Sequence, residues 1–492
     1  MKNFSKLLLT LLAISFAVPM LAQQELSPCG TQMGISPWLQ DFQRRIHEAS
    51  RNDEVLYLPL QVHVVGTDNG AGYFSRKGVL DAFCTLNEDF EQANIQFFLP
   101  NPINYIDNSD YYDHDYDQGY DMMSENNYPS IINCYIVDSP AGNCGYFFPG
   151  VDGIALARGC VQPNDHTWAH EVGHYLSLPH PFSGWEGVED HDYDMPAPNA
   201  WGGDAVEKLD GSNCAFAGDG FCDTAPDYLN YRWSCNSSFT SNVQQTDPNG
   251  ETFVSDGSLF MSYSNPSCKS TFSPDQIAAM RANVEEVRSY LLSDPPVLED
   301  IAVADVDEVN VVYPTSDDLV ETSTITIEWE PVPNATHYIL QINPFNIFSI
   351  IFEEMIVEGS SATVSDLRPD ETYYWRVRPF NPYETCTDFT GSNSFSTGNV
   401  VSTNQLREDE FIEVYPNPVV SGVLNLNMKV QNTQEASWRL VDGAGAVLQQ
   451  SQLSLSNTQQ QFEIPMAQLP AGMYFLQLIL DDRQIMRKVV IQ

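Results

Sequence analysis

The sequence predicts a first domain of the α/β (α+β) class with a mixed, twisted sheet, followed by two all-β sandwich domains. Apolar residues recur with both strand and helix periods as far as residue 293, whereas short alternating strands with turn signals make up the chain after residue 300. A chain of 492 residues also has room for about three domains of roughly 100 to 200 residues each.

Strand and helix patterns open the first domain. Alternating apolar residues from Leu56 to Val65 predict a half-buried strand. Apolar positions at intervals of three and four between Arg76 and Ala93 predict a helix that packs on a sheet. Short apolar runs at Ile95 to Leu99, Ile131 to Val137 and Ile154 to Ala157 predict further strands.

Two later stretches lack such patterns. Asp107 to Asp121 is rich in aspartate and is predicted to be a surface loop, and Ser183 to Thr252 is irregular enough to need disulfides or ions to hold one conformation. A helix then closes the domain, with Ser273 as its cap and Gln276 completing a capping box. The first residue of this helix is Pro274, and its predicted apolar stripe is Ile277, Met280, Val284, Val287 and Leu291.

The net charge argues against one class of partner. The chain has 66 acidic and 22 basic side chains, which gives a formal charge of -44. Such an anionic surface repels a phosphate backbone, so no nucleic acid is expected as a partner.

Residues 1–22 predict export. Lys2 and Lys6 precede an apolar run from Leu7 to Val18, and the segment ends at Ala22, as in a cleaved signal peptide. The run is shorter than the about 20 apolar residues of a spanning helix, so no transmembrane segment is expected in the mature protein. Outside the cell the ten cysteines can oxidise to disulfides.

The run His170-Glu171-Val172-Gly173-His174 indicates a metal site. Two imidazoles four residues apart lie on the same face of a helix and can share one ion. Zn2+ binds neutral imidazole well, and a catalytic zinc site has three protein ligands and a position open for water. His180 is the predicted third ligand, provided that the helix ends near Leu176 and the chain turns back.

Glu171, next to the first ligand, is the predicted general base. It would take a proton from a zinc-bound water and pass it to the leaving amine. The pattern therefore predicts a secreted zinc-dependent endopeptidase that hydrolyses peptide bonds in proteins or peptides. The alternative is a surface adhesin or binding protein with a structural zinc, although such a site does not need a base at this position.

Two motifs carry a family resemblance. The run from His170 to His180 resembles the metzincin signature H-E-x-x-H-x-x-G-x-x-H, and Ser258 to Tyr263 resembles the metzincin Met-turn. With the run Gly218 to Pro226, these motifs make the region from Val55 to Leu292 similar to the pappalysin and cytophagalysin family. The resemblance implies a metzincin catalytic domain with a mixed twisted sheet and an active-site helix.

The resemblance also implies residue roles. Met261 would pack beneath the metal as a structural residue, and Tyr263 would lie near the zinc and stabilise the oxyanion. The chain departs from the signature at Ser177, where glycine normally allows the turn toward His180. Relatives that cleave before basic residues carry an acidic side chain shortly after the Met-turn, whereas residues 264–268 have none, so no preference for Arg or Lys is expected.

Cys29-Gly30-Thr31 resembles the short cysteine motif in propeptides of this family. The resemblance implies that Cys29 occupies the open metal position as a latency switch, until a cut after Arg45 or Arg51 releases the segment. In the other interpretation, Cys29 is one half of a disulfide.

Eight cysteines remain in the first domain when Cys29 and the isolated Cys386 are set aside, and their number allows four bridges of open connectivity. These eight are Cys84, Cys134, Cys144, Cys160, Cys214, Cys222, Cys235 and Cys268. The family resemblance implies that Cys222 and Cys268 belong to bridges that tie the long loop to the Met-turn. It also suggests structural Ca2+ at the acidic loops Asp190 to Asp194 and Asp219 to Asp223, for which a solvated acidic surface is the alternative.

Two β-rich segments complete the chain. Residues 304–398 resemble a fibronectin type III sandwich, with Trp329 as its core tryptophan and Tyr373 at its tyrosine corner. Residues 411–492 begin with the run Val414 to Pro418 and resemble the C-terminal sorting domain of the type IX secretion system. The alternative for this last segment is a small sandwich with a binding role.

The predicted organisation is a preproprotein. Its parts are a signal peptide (1–22), a propeptide (23–51), a zinc metallopeptidase catalytic domain (52–293), a fibronectin type III-like domain (304–398) and a sorting domain (411–492). The protein is expected to be secreted or on the cell surface after passage across an outer membrane, with protein or peptide substrates and the type IX machinery as partners. His63 and His166, outside the metal motif, are predicted to be structural.

Overall fold

The computed structural model describes residues 26–31, 34–45, 54–186, 188, 191–316, 318–320, 323–349, 351–398, 411–420, 422–430, 434–441, 447–467, 469–480 and 483–491. The predicted signal peptide and nearly all of the linker at 398–410 lie outside these ranges. Within them, no helix is both long and apolar enough to cross a membrane.

Helices and strands are mixed in the first part of the chain, and among the described residues after Ile301 the regular elements are strands. The helices are α1 (Pro37–Arg45), α2 (Arg76–Glu91), α3 (Ser109–Tyr112), α4 (Tyr116–Asn126), α5 (Thr167–Tyr175), α6 (Pro274–Glu286) and α7 (Leu298–Ile301). The strands of the first part are β1 (Leu56–Gly66), β2 (Ile95–Phe98), β3 (Asn104–Asp107), β4 (Asp113–His114), β5 (Ile132–Val137), β6 (Ser139–Pro140), β7 (Gly145–Phe148), β8 (Gly153–Ala157), β9 (Ala200–Trp201), β10 (Asp204–Ala205), β11 (Gln245–Thr246) and β12 (Thr252–Phe253). Those of the second part are β13 (Val311–Tyr313), β14 (Leu319–Val320), β15 (Ile325–Trp329), β16 (His337–Asn343), β17 (Glu353–Glu358), β18 (Ser361–Val364), β19 (Thr372–Phe380), β20 (Asn393–Thr397), β21 (Phe411–Tyr415), β22 (Val423–Lys429), β23 (Gln434–Val441), β24 (Val447–Leu455), β25 (Gln460–Pro465), β26 (Gly472–Leu480) and β27 (Arg483–Ile491).

A six-stranded mixed sheet forms the centre of the first domain. Its order is β2-β1-β5-β8-β7, and β3 pairs with the second half of β1. The pairings are parallel except that of β7 with β8, so an antiparallel strand forms one edge. The fold is mixed α/β with many strands and few helices, and the strands and helix predicted between residues 56 and 157 are present in it.

The central strand β1 is buried on both faces, so the prediction of a half-buried strand is wrong. Every residue of β1 after Leu56 is buried. One face meets the main core, and a second apolar cluster with Met122, Met123 and Tyr135 covers the other. His63 is structural, as predicted: its ring stacks on Tyr135 at 4.2 Å, and its Nε2 lies 3.1 Å from the Asn133 side-chain oxygen.

The aspartate-rich stretch after β3 is also not the predicted surface loop, because it contains α3 and α4. Asp115 accepts hydrogen bonds from the backbone of Asp117 and Gln118, and the Gln118 side chain completes a capping box. Aspartate is unsuited to a hydrophobic core but is a preferred N-cap residue. A prediction based only on the spacing of apolar residues therefore misses these two helices.

The closing helix α6 has the predicted cap. The Ser273 hydroxyl accepts from the Gln276 backbone at 3.1 Å, and Gln276 returns a bond to the Ser273 backbone. Val287 does not belong to its buried stripe, since the helix ends at Glu286 and this side chain is 49% exposed.

The second part of the chain forms two pairs of sheets. The sheets β13-β15-β18 and β14-β20-β19-β16-β17 enclose a core with Trp329, Tyr338 and Trp375. The Tyr373 hydroxyl accepts a hydrogen bond from the Arg368 backbone at 2.9 Å. The sheets β21-β22-β25 and β24-β23-β26-β27 enclose the last core.

Four disulfides form among the described cysteines, and they correct the prediction. The bridges are Cys84–Cys386, Cys144–Cys160, Cys214–Cys222 and Cys235–Cys268. Cys134 is buried and free, whereas Cys386, predicted to be isolated, is bonded to Cys84 of α2. Sequence spacing does not reveal a bond between domains. Cys268 is bonded to Cys235 and so ties the long loop to the Met-turn, as expected, whereas Cys222 is bonded to Cys214 within the long loop itself and does not.

The first sandwich packs tightly on the first domain. The guanidinium of Arg378 is buried and pairs with Asp81 of α2. Phe98 of β2 stacks on Tyr383 at 4.7 Å. Together with the bridge from Cys84, these contacts join the two domains into one packed unit.

Candidate metal centre

Helix α5 lies against the sheet and presents three polar side chains to its cleft. His170, Glu171 and His174 are all fully buried or nearly so. The helix begins at Thr167, whose backbone and hydroxyl donate to the Asp165 carboxylate at 3.0 and 2.7 Å. At Gly173 a Cβ would lie 2.5 Å from the Met261 sulfur, so glycine lets Met261 pack directly against the helix.

The chain reverses after α5 through Ser177. Its φ is 80°, the left-handed conformation that usually requires glycine. The Leu178 backbone donates to Gly173 and the Ser177 backbone to His174, both at 2.9 Å, which is the hydrogen-bond pattern of a Schellman motif. The Ser177 hydroxyl accepts from the Asn283 side chain at 2.6 Å. The turn therefore forms without glycine and carries the chain on to His180.

The three histidines converge through the same ring atom. The Nε2 atoms of His170, His174 and His180 lie 3.0 to 3.2 Å from one another. The Nδ1 atoms of His170 and His174 lie 2.8 and 2.7 Å from the backbone oxygens of Phe260 and Leu178. A carbonyl only accepts, so both Nδ1 atoms carry the proton and both Nε2 atoms present lone pairs to one point.

A fourth donor completes the group. Cys29 Sγ lies 3.6 Å from His174 Nε2, and within the described residues Cys29 and the three histidines are the group of side chains able to share an ion. A tetrahedron with Zn–N bonds of about 2.0 to 2.1 Å has nitrogen–nitrogen edges of about 3.3 Å. Converging lone pairs repel one another unless a cation lies between them. The donor set therefore fits a zinc ion.

Burial sets the charge states of these groups. It lowers the pKa of all three histidines, so the imidazoles stay neutral as metal ligands require. It raises the pKa of Glu171 to about 7. Burial is also the main cause that raises the pKa of the Cys29 thiol, and the negative charge of Glu171 raises it further.

The segment around Cys29 lies along the edge strand β7. Gly30 donates to the Gly145 backbone oxygen at 2.9 Å, and the Cys144 backbone donates to Ser27 at 2.7 Å. The Thr31 hydroxyl donates to Glu171 Oε2 at 3.0 Å and accepts from the Phe147 backbone at 2.7 Å. Cys29 is free rather than bridged.

Thr31 belongs to the cysteine motif, but the sequence patterns did not indicate its role as a partner of Glu171. Its position two residues after Cys29 was the available signal. Helix α1 was missed as well, although Leu39 and Phe42 are spaced by three. Both side chains are buried in the main core, and the Arg45 side chain at the end of the helix pairs with Glu286 of α6.

The two Met-turn residues lie at the centre. Met261 is fully buried beneath α5. The Tyr263 hydroxyl donates to the Cys29 backbone oxygen at 3.2 Å, and its ring centre is 4.9 Å from that of His180. Burial raises the pKa of Tyr263, which keeps the hydroxyl a donor. His166, predicted to be structural, pairs with Asp89 at 2.8 Å.

Structural Ca2+ was predicted at two acidic loops, Asp190 to Asp194 and Asp219 to Asp223. Asp190 lies outside the described residues. Asp219 accepts from the Phe221 backbone and the Thr224 hydroxyl, and Asp223 accepts from Ser273, so protein donors already engage these carboxylates. Structural calcium therefore remains a prediction.

Similarity to known proteins covers two parts of the chain. Residues 413–492 match the family described as secretion system C-terminal sorting domain, in agreement with the predicted type IX sorting domain. An extracellular metalloprotease from Pyricularia oryzae is 27% identical over 147 residues, 26% of this chain and 52% of that protein. The chain thus spans about half the length of this curated relative.

A solved structure of the chicken CNTN1 FN1–FN3 domains is 14% identical and covers 38% of this chain and 69% of its own, with a TM-score of 0.16. A score this low supports no conclusion about the fold. The chain thus carries a C-terminal sorting domain for export to the cell surface or beyond, and part of it is similar to an extracellular metalloprotease.

Proposed function

We propose that this protein is a zinc-dependent endopeptidase of the metzincin type, secreted as a latent precursor. One observation carries the proposal: three histidine Nε2 atoms lie within 3.2 Å of one another beside the buried carboxylate of Glu171. A structural zinc site needs the ligands but not the carboxylate. The similarity to an extracellular metalloprotease supports the same reaction class.

His170, His174 and His180 would hold the zinc. When bound, the ion supplies Lewis-acid activation of water and of the scissile carbonyl. Glu171 Oε1 is buried without a hydrogen-bond partner among the described residues and is free to accept a proton. Glu171 then delivers this proton to the leaving amine. The Tyr263 hydroxyl, a donor at the same cleft, stabilises the oxyanion.

Cys29 acts as the latency switch. Its sulfur is the fourth donor of the group, and the segment from Ser27 to Thr31 fills the cleft between β7 and the histidines. Thr31 at the same time occupies the carboxylate of Glu171. Removal of the segment by a cut after Arg45 or Arg51 frees both groups.

The pappalysin-like metzincin assignment rests on the Schellman turn at Ser177 and on Met261 beneath α5. The fibronectin type III-like assignment rests on the two-sheet core around Trp329 and on the bond to the Tyr373 hydroxyl. We retain the predicted domain boundaries at 52–293 and 304–398.

The test compares the matured wild-type protein with Glu171→Gln. We expect zinc content to be unchanged and hydrolysis of a general protein substrate to fall by about a hundredfold or more. Glu251→Gln, which changes an exposed carboxylate of the long loop, is the matched control and should retain activity. A zinc-loaded, matured wild-type protein without hydrolysis would instead favour the adhesin.

A further inference from the structure

The segment around Cys29 shows how an extended chain lies in the cleft beside the metal centre. Ser27 forms a parallel bridge with Asn143, and the Ser27 backbone donates to the Gly142 oxygen at 3.0 Å. The Cys144 backbone donates in turn to the Ser27 oxygen at 2.7 Å, as in a neighbouring strand of a sheet. An edge that pairs with one extended segment offers the same backbone groups to another. A substrate that replaces the segment is therefore expected along the same edge, beside β7 and the residues before it.

Three positions of the segment serve the reacting groups and the backbone. Cys29 lies at the histidines, and the Thr31 hydroxyl donates to Glu171. Gly30, between them, leaves no room for a side chain, because a Cβ there would lie 2.4 Å from the Tyr116 hydroxyl oxygen. A large substrate side chain is therefore better accommodated at the other end of the segment.

Leu26, at that other end, occupies an apolar site of its own. It lies three positions before Cys29 and packs against Cys144, Ala157 and Cys160. These three residues form a cluster separate from the main core, and each is at most 9% exposed. Cys144 and Cys160 are joined by a disulfide, and the Ala157 backbone at the end of β8 donates to the Cys144 oxygen at 2.8 Å. The disulfide and the sheet contact hold the walls of this site in place without the help of Leu26.

Removal of the segment would uncover this apolar surface. A disulfide and a methyl group are poorly solvated, so an apolar side chain that covers them again is favoured. The Arg232 guanidinium donates to Cys144 Sγ at 3.4 Å and would repel a basic side chain at this position. The site therefore suits an uncharged aliphatic side chain, and Leu26, its present occupant, is of this kind.

We propose that the cluster of Cys144, Ala157 and Cys160 is an apolar subsite for leucine or a similar aliphatic residue, about three residues from the scissile bond. This inference rests on the proposed peptidase function, with Cys29 marking the position of the metal. The substrate lies along β7 through backbone hydrogen bonds, and its aliphatic side chain takes the place of Leu26. Ala157 is a specificity-determining residue, because its small side chain leaves the room that Leu26 fills.

The first experiment profiles cleavage of a peptide library by the matured, zinc-loaded protein. We expect Leu, Ile and Met to be enriched at one position on one side of the cut, and kcat/KM to fall about tenfold when that residue is changed to Ala. Ala157→Met, which fills the site, should remove the enrichment and leave the zinc content unchanged. Ala71→Met adds the same side chain at an exposed position of the first domain and should leave the profile unchanged.

The second experiment tests the site without changing the enzyme. A synthetic peptide of residues 26–45 should inhibit the matured protein, and Leu26→Ala in this peptide should raise its inhibition constant about tenfold. Ser27→Ala, which changes an exposed side chain of the same segment, should leave the inhibition constant nearly unchanged.

The outcomes separate the two proposals. If the wild-type protein cleaves no peptide, the peptidase function fails. Cleavage without aliphatic enrichment, or enrichment that persists in zinc-loaded Ala157→Met, overturns the subsite while the peptidase function stands. The subsite is also overturned if the peptide does not inhibit, or if Leu26→Ala inhibits as well as the unchanged peptide. Should Ala157→Met fail to fold, the wild-type profile and the peptides decide the question.

Discussion

Ser177 shows how one residue can replace the glycine of a motif. Its left-handed φ of 80° carries a conformational cost of about 1 kcal/mol, and the hydrogen bond from Asn283 to its hydroxyl offsets part of it. Asn283 is itself buried, so it depends on this partner.

The variants Ser177→Gly and Ser177→Ala separate these two effects. Both lose the bond to Asn283, but only glycine relieves the left-handed conformation, so Ser177→Gly should be about 1 kcal/mol more stable than Ser177→Ala. Denaturant unfolding of the zinc-loaded protein measures the difference. Equal stability of the two variants would contradict the assigned strain.

Glu207 is a buried carboxyl group that should make the stability of the protein depend on pH. Burial is the main cause that raises its pKa to about 10, and the negative charges of Asp219 and Asp227 contribute less. Because the folded state favours the protonated form, Glu207 destabilises the protein increasingly as pH rises from the ordinary pKa near 4.5 toward 10. Glu207 Oε2 also has no hydrogen-bond partner among the described residues.

Glu207→Gln should therefore raise the free energy of unfolding at pH 7 by on the order of 3 kcal/mol, with little gain at pH 4. Glu251→Gln, at an exposed position, is the control. Thermal unfolding at both pH values without calcium tests this expectation, and a gain equal at both pH values would refute it. Added calcium that abolishes the gain would support the predicted structural ion.

Among the elements, α1 and β7 hold the segment around Cys29 in place. Strand β7 pairs with Gly30 through backbone hydrogen bonds, while α1 anchors the segment through buried Leu39 and Phe42. In the latent form proposed above, apolar contacts of this kind would add to any stabilisation from coordination by the Cys29 sulfur.

Phe42→Ala should weaken this anchor by about 3 kcal/mol, because a large buried ring is removed. Peptidase activity of the unprocessed protein should then appear sooner than in the wild type. Gln40→Ala, at an exposed position of the same helix, should not change the lag. An unchanged lag in Phe42→Ala would show that α1 does not contribute to latency.

At the scale of the whole molecule, the first sandwich is part of the structure that supports the centre. Helix α2 contributes Asp81 and Cys84 to the interface, and the same helix contacts α5. A disturbance at the interface can therefore reach the helix that carries the histidines.

Arg378→Ala should lower the free energy of unfolding by about 1.5 to 3 kcal/mol, because it removes the buried guanidinium and leaves Asp81 with only the more exposed Lys77 as its ion-pair partner. Arg368→Ala, at an exposed position of the same sandwich, should cost less than about 0.5 kcal/mol. Chemical unfolding followed by tryptophan fluorescence distinguishes them. A similar, small loss in both variants would show that the domains are stable independently.

The sequence by itself determined the features that depend on local order. The spacing of His170, Glu171 and His174 on a helix, the cap of α6 at Ser273 and the C-terminal sorting motif can all be read from neighbouring residues. The burial of both faces of β1 could not be read in this way, because it depends on a distant cluster that covers the second face.

Local patterns do not determine that Cys29 lies next to His174, 145 positions away; the family resemblance suggested it, and the tertiary structure shows the contact. Only the tertiary structure joined Cys84 to Cys386 over 302 positions. The local sequence pattern reports the periodicity of apolar residues and hence the secondary structure. Contacts between distant residues depend instead on how the helices and strands pack against one another. The physical reason is that burial and charge act through space, without regard to separation along the chain.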